Sequence, residues 1–436
     1  MSQSDSQLPV AVIGAGPVGL AAAAHLTSRG TEPVVFEAGD SVGASVREWA
    51  HVRVFSPWSY NLDPVAVELL ERTGWSAPAA DAYPTGGDLV ERYLEPLAAT
   101  PGIVERLHLN APVVSVTRQA VDKLKDQDRD DAPYQLVVEQ DGEERRYLAR
   151  AVIDASGTWT RPNPLGAGGV PAAGERRHAD RITYGIPDVL GSARERYAGR
   201  RVLVVGSGHS AFNAILDLVA LRDSEPATEI VWAIRGGAPD RSYGGGGDDQ
   251  LPARGALGAT VRGLVADGSV EVVAGFHTRS ISAPDGRLVV EDATRRLVVD
   301  EVIAATGFRP DLDLLRELRI ELDDRVEAPR ALAPLIDPNV HSCGSVPPHG
   351  VDELSHPDGG MYIVGMKSYG RAPTFLLRTG YEQVRSVVAA VAGDWAGARN
   401  VELVLPETGV CTVSRGAEAA CDSPLLEIES RASVAP

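Results

Sequence analysis

The segment richest in chemistry is Gly14-Ala15-Gly16-Pro17-Val18-Gly19. An apolar run from Val10 precedes it and an alanine-rich run, Leu20 to Leu26, follows, so it reads as strand, glycine turn and helix. In such a turn the first glycine permits the tight bend and the second lets backbone approach a pyrophosphate. The third lets the helix pack closely on the strand. Free N–H groups and the positive end of the helix dipole then face the phosphates. A second apolar strand from Pro33 to Phe36 ends in Glu37, whose carboxylate is placed to accept the ribose hydroxyls of an adenosine.

The pattern recurs at Gly206-Ser207-Gly208-His209-Ser210-Ala211, after the apolar Arg201 to Val205, with Ala211 in the place of the third glycine. Here the following strand, Glu229 to Ile234, ends in Arg235 instead of an acid. A guanidinium suits a 2′-phosphate and an acid would repel it, so NADPH is expected over NADH. A solvated arginine at a strand end is the alternative. Two dinucleotide turns in one chain, one for a hydride carrier and one for an acceptor, match the arrangement of a flavin reductase or monooxygenase. FAD is expected at the first turn and NADPH at the second.

These turns need parallel sheets to hold them, and the chain has the length for two. It has 436 residues, 44% hydrophobic and 23% charged, the profile of a globular protein. The expected class is α/β with two Rossmann-like dinucleotide-binding domains. The FAD domain is discontinuous, over 1–160 and 300–400, with the NADPH domain inserted at 161–299 and a tail at 401–436. Gln119 to Asp131 is charge-rich and reads as a loop between hairpin strands; Gly236 to Asp249 reads as a mobile loop near the nicotinamide or a solvated linker. The net charge of −18 argues against a nucleic-acid partner. No apolar run is long enough to span a bilayer, and the polar start lacks a secretory n-region, so a cytoplasmic location is expected. The three cysteines, Cys343, Cys411 and Cys421, form neither a Cys-x-x-Cys pair nor a zinc spacing, and no metal is expected. Cys343, beside His341 and His349, reads as structural. Cys411 and Cys421 read as unrelated tail thiols, with a redox pair or soft-ion site as the alternative.

Over roughly residues 8 to 395 the chain resembles the two-dinucleotide flavoproteins, and within them the flavin-containing monooxygenases most. Val152 to Thr158, with Ser156-Gly157, and Val302 to Asp311, with Thr306-Gly307, are similar to the paired crossings that link the two domains there. Tyr83-Pro84-Thr85 and the helix-like Asp88 to Leu97 resemble the helix before the active site. Met361 to Gly370, with Gly365, through Val384 is similar to actinobacterial flavoproteins encoded near arsenic-resistance genes, which implies arsenical or thiol detoxification. Two features depart from the pattern. The stretch Arg177-His178 to Pro187 only loosely matches the monooxygenase fingerprint, and an insertion-like Asp188 to Tyr197 follows it. Met366 stands where disulfide reductases carry an aspartate after the glycine.

The resemblance suggests that Trp49 to Asn61 walls the flavin from water, with Trp49, Phe55, Trp58 and Tyr60 as the wall and Asn61 donating an amide hydrogen bond. The alternative is that these aromatics are core. Arg47 is expected either on a flavin phosphate or in a surface ion pair. Lys367 is a candidate cation facing the isoalloxazine, where it would stabilise reduced, anionic flavin. Arg309 is expected at the domain interface. The leading expectation is an NADPH-dependent FAD monooxygenase using molecular oxygen on a small soft nucleophile: a thiol, thioether, amine or arsenical. A reductase passing electrons to a partner, and a non-enzymatic FAD redox sensor, are the alternatives.

Overall fold

The computed structural model describes residues 8–244, 249, 251–340, 346–347, 349–373 and 375–401. Cys343, Cys411, Cys421, His341 and Gly245 to Gly247 lie outside the described residues. In chain order the strands are β1 (Val10–Ile13), β2 (Pro33–Phe36), β3 (Leu107–His108), β4 (Val113–Arg118), β5 (Tyr134–Gln140), β6 (Glu143–Ala149), β7 (Ala151–Asp154) and β8 (Ile182–Tyr184). They continue with β9 (Arg201–Val205), β10 (Glu229–Ile234), β11 (Glu271–Ala274), β12 (Ser280–Ser282), β13 (Leu288–Glu291), β14 (Arg296–Val299), β15 (Glu301–Ala304) and β16 (Met361–Ile363).

These strands form two parallel sheets, ordered β16-β7-β1-β2-β3 and β11-β10-β9-β15-β8, and two antiparallel ones, β4-β5-β6 and β12-β13-β14. This is the α/β class with two dinucleotide-binding units that the glycine turns predict. Each parallel sheet is covered by helices on one face and by an antiparallel sheet on the other. The strand period of two does the sorting. Val10 and Val12 join the helix-side core with Leu20 and Val384, whereas Ala11 and Ile13 join Val116 and Leu136 of the antiparallel sheet. In the second unit Val202 and Val204 meet Phe212 and Leu218, while Leu203 and Val205 meet Leu288 and Val290. Central strands buried on both faces account for the unbroken apolar runs around both turns.

The strands also move one expected boundary. Glu301–Ala304 pairs in parallel with Arg201–Val205 and Ile182–Tyr184, so it belongs to the second sheet. A division after 299 therefore falls one strand before the chain leaves that unit. The loop after β4 is also anchored to the body of the first unit. Arg129 within it is buried and grips Asp358 with two hydrogen bonds of 2.8 and 2.7 Å. Among the described residues no helix is long and apolar enough to cross a membrane.

Candidate functional site: two glycine cradles and their crossings

At the first turn, Gly14 has φ +97°, and a Cβ there would stand 2.9 Å from the Ala155 carbonyl oxygen. A Cβ on Gly19 would stand 1.9 Å from the Gly14 oxygen. Those two glycines are required by the protein's own packing. Gly16 is different: a Cβ there would meet nothing within 4 Å among the described residues, so its backbone borders open space. Gly16 is also the N-cap of the helix Pro17–Ser28 and makes no side-chain cap bond. Among the described residues no side chain accepts the N–H groups of that first turn, as an anion site requires. Glu37 accepts the Ala15 N–H at 2.7 Å on one carboxylate oxygen and the Gly39 N–H at 2.9 Å on the other. A carboxylate has about four acceptor positions, so Glu37 is oriented and still has lone pairs for ribose hydroxyls.

Gly157 adds φ +70° and open space, and Ser156 lies against Gly14. Gly365, at φ +69°, donates its N–H to Gln383 Oε1 at 2.7 Å, and a Cβ there would stand 3.2 Å from Val18 Cγ2. Gly14, Gly16, Pro17, Val18, Gly19, Glu37, Ser156, Gly157 and Gly365 therefore gather at the carboxyl ends of β1, β2, β7 and β16. Open α/β sheets bind ligands at such an edge. The open space at Gly16, the uncapped helix and the oriented carboxylate fit the diphosphate and ribose of a dinucleotide.

The second turn repeats this logic with fewer walls. Gly206, at φ +136°, would place a Cβ 2.1 Å from the Ala305 oxygen, while Gly208 borders open space and caps His209–Ser224 without a side-chain bond. Ala211 is fully buried and Ser210 half-buried. His209 is mostly buried, and burial pushes its imidazole down to about 4, so it is neutral near pH 7. Its ring centroid is 5.1 Å from that of Phe55, which brings the aromatic segment to the second turn. Arg235 is exposed and, among the described residues, pairs with no carboxylate. Arg254, which sequence reasoning did not single out, is a buried cation that acts electrostatically on His209 and pairs with Asp249 at 2.6 Å.

Thr306 and Gly307 lie where the two crossings clasp each other. Asn163 donates its N–H to the Gly307 oxygen at 2.8 Å, the Thr306 hydroxyl donates to the Asn163 oxygen, and Arg309 donates its N–H to the Arg161 oxygen at 3.0 Å. Trp159 stacks on Phe308 with centroids 4.5 Å apart. Arg309 reaches the Asn163 amide oxygen at 3.1 Å, so its interface contact is a hydrogen bond to an amide.

Two expectations, for Asn61 and Lys367, need correction, and for Arg47 and the aromatic segment the structure chooses between stated alternatives. Asn61 is buried and donates its amide N–H groups to the Ser56 and Pro57 oxygens at 2.8 and 3.0 Å. An amide nitrogen has two hydrogens, so none remains for a flavin; Asn61 closes its own loop. Lys367 is no free cation either. Its ammonium donates to Asp154 at 2.6 Å and to the Ser156 hydroxyl at 2.9 Å, with both charged side chains 0% exposed. Arg47 takes the surface ion pair, with Glu95 at 2.5 Å. The aromatic wall divides: Trp58 is core, Trp49 packs on that core and against Gly86, Tyr60 lies beneath Arg378, and Phe55 reaches His209. His51, in the same segment, has a buried Nε2 with no hydrogen-bond partner among the described residues, and acts electrostatically on Asp188 and Asp217 of the other unit.

With this geometry in place, known proteins supply a frame. The profile of the pyridine nucleotide-disulphide oxidoreductase family matches residues 11–331. Indole-3-pyruvate monooxygenase YUCCA1 of Oryza sativa subsp. japonica is 32% identical over 210 residues, 48% of this chain and 44% of that protein. The match thus spans less than half the length of that relative. Bacillithiol disulfide reductase Bdr of Bacillus cereus superposes with a TM-score of 0.66 at 20% identity, over 88% of this chain and 99% of the other. The FAD-bound cadaverine monooxygenase DfoA of Erwinia amylovora gives 0.62 at 13% identity, over 96% and 99%. At such identities the likeness of these structures is one of fold.

Proposed function

Since the chain belongs to the pyridine nucleotide-disulphide oxidoreductase family, we propose that it is an NADPH-dependent FAD monooxygenase acting on a small soft nucleophile: a thiol, thioether, amine or arsenical. The observation that carries this reading is the pair of open glycine caps, Gly16 and Gly208, one on each parallel sheet. FAD, when bound, accepts a hydride from NADPH and activates oxygen; the chain's own residues bind, orient and exclude water. Gly14, Gly16, Pro17, Val18 and Gly19 cradle the FAD diphosphate, Glu37 takes its ribose, and Ser156, Gly157 and Gly365 border the remainder. Gly206, Gly208, His209, Ser210 and Ala211 cradle the NADPH diphosphate, and Arg235 takes the 2′-phosphate. Neutral His209 adds no fixed charge beside the phosphates, and Phe55 covers it.

Two observations favour oxygenation over disulfide reduction. The 436 residues hold no Cys-x-x-Cys pair to relay electrons, and the relative at 32% identity is named a monooxygenase. The resemblance to flavoproteins encoded beside arsenic-resistance genes supports keeping arsenicals in the substrate class. The test follows NADPH oxidation and peroxide release by the FAD-loaded protein in air, with thiols, thioethers, amines and trivalent arsenicals offered in turn. We expect one class to suppress peroxide release and to gain one atom from labelled oxygen. Complete conversion of every NADPH to peroxide with all four classes would overturn oxygenation and leave the reductase; tight FAD that NADPH never bleaches would leave a sensor.

A further inference from the structure

Asp154 has no place in the roles above, yet it stands at the centre of the first unit. It ends β7, in register with Ile13 of β1 just before the Gly14 turn and with Ile363 of β16. One carboxylate oxygen accepts the Lys367 ammonium at 2.6 Å; the other accepts the Ser156 hydroxyl and N–H at 2.6 and 3.1 Å. Lys367 also donates to that hydroxyl at 2.9 Å, which closes a ring of three side chains. The ring backs directly onto the cradle: Ser156 Cα lies 3.0 Å from where a Gly14 Cβ would stand. Lys367 itself is two residues beyond Gly365, which packs on Val18.

A buried ion pair is a poor device for stability alone, because desolvation offsets most of the attraction. Ile153 and Ile363 are apolar neighbours that show what the sheet would otherwise accept. What the pair does provide is a defined field. In a water-poor interior a unit charge acts far more strongly than in solvent, and a compensated one is nearly silent.

We infer that Asp154 and Lys367 are a charge-compensated positioning pair that sets the electrostatic potential of the flavin cradle, with Asp154 deciding how much of the lysine's positive charge the flavin meets. The inference rests on the FAD reading. Asp154→Asn leaves the ammonium uncompensated and so favours anionic reduced flavin. The flavin reduction potential rises, and affinity for sulfite, a probe of the same electron demand, increases by about tenfold. Lys367→Gln leaves the carboxylate uncompensated and moves both readouts the other way by a similar factor. The double variant, Asp154→Asn with Lys367→Gln, returns both close to wild type.

Opposite signs are the signature, since a purely structural ring would loosen FAD in both single variants and leave the potential of the remaining flavin unchanged. If one single variant fails to fold, the sign of the shift in the other carries the test; the double variant and Lys367→Arg, which restore or keep the charge balance, serve as controls expected near the wild-type potential. FAD-loaded single variants, Asp154→Asn and Lys367→Gln, whose potentials and sulfite affinities do not move, or move in the same direction, overturn this inference alone. A wild-type protein that takes up no FAD overturns the FAD reading and this inference together.

Discussion

The two glycine cradles share a strand, a turn and a helix, but they are embedded differently. Around the first, Leu20 to Leu26 are all buried, and the helix Pro17–Ser28 is enclosed between its sheet and the helix Leu377–Val391. Gly380 of that second helix comes so close to Val18 that a Cβ would stand 2.6 Å from it. Glu37 is held by two backbone N–H groups. Around the second, His209–Ser224 buries mainly Ala211, Phe212, Ala214, Ile215, Leu218 and Leu221, and Arg235 stands exposed. A cradle whose helix is packed on both faces suits a cofactor that stays; one with an exposed arginine at its rim suits a co-substrate that leaves in each turnover. The difference lies in what the surrounding chain does, since the two turns are nearly alike.

That contrast is easiest to break at Gly19. In Gly19→Ala the new methyl would sit 1.9 Å from the Gly14 oxygen, a backbone atom that cannot rotate away. We expect a loss of about 3 kcal/mol or more in denaturant unfolding and a protein that purifies without flavin. Gly16→Ala, with nothing within 4 Å, should keep its stability and weaken FAD only. Equal destabilisation by both would show that the cradle is shaped by packing alone.

At the second cradle, Arg235→Ala should raise the KM for NADPH by about 10- to 100-fold, the worth of a charge-assisted phosphate contact, and leave that for NADH unchanged. Equal effects on the two nucleotides would remove the 2′-phosphate from the account. Asn61→Ala should cost about 1–3 kcal/mol, because the Ser56 and Pro57 oxygens lose their donors. The fraction of NADPH lost as peroxide should stay the same; a marked rise would return Asn61 to the flavin.

The smallest effect concerns the interface between the units. Burial pushes the Asp217 carboxyl up from 3.8 to about 6, against a smaller lowering by His51. The unfolded chain releases this proton at the lower value and the folded protein at the higher one. The folded state therefore holds the extra proton between them, and stability falls as pH rises across that window. The shift would be worth about 3 kcal/mol in a dry site; solvent screening of the half-buried carboxyl cuts this, so Asp217→Asn should stabilise the protein by about 1 kcal/mol above pH 6 and make no difference below pH 4. Melting temperatures of the two proteins at pH 4 and pH 8 check the sign.

The chain's local order determined the two strand–turn–helix units, the carboxylate after β2, the arginine after β10 and the α/β class. Each depends on residues a few positions apart, where periodicity and glycine's conformational range act directly. The sharing of Glu301–Ala304 with the second sheet was not legible, because an apolar strand pairs equally well with either sheet until its neighbours are in place. Asn61 and Lys367 carry the side chains that their expected roles need. Only tertiary structure decides where their donors go. Lys367 finds Asp154 213 positions away, and Arg129 finds Asp358 229 positions away. A hydrogen-bonding group is free for chemistry only if folding leaves it without a better partner, and such partners are set by long-range packing that no local pattern records.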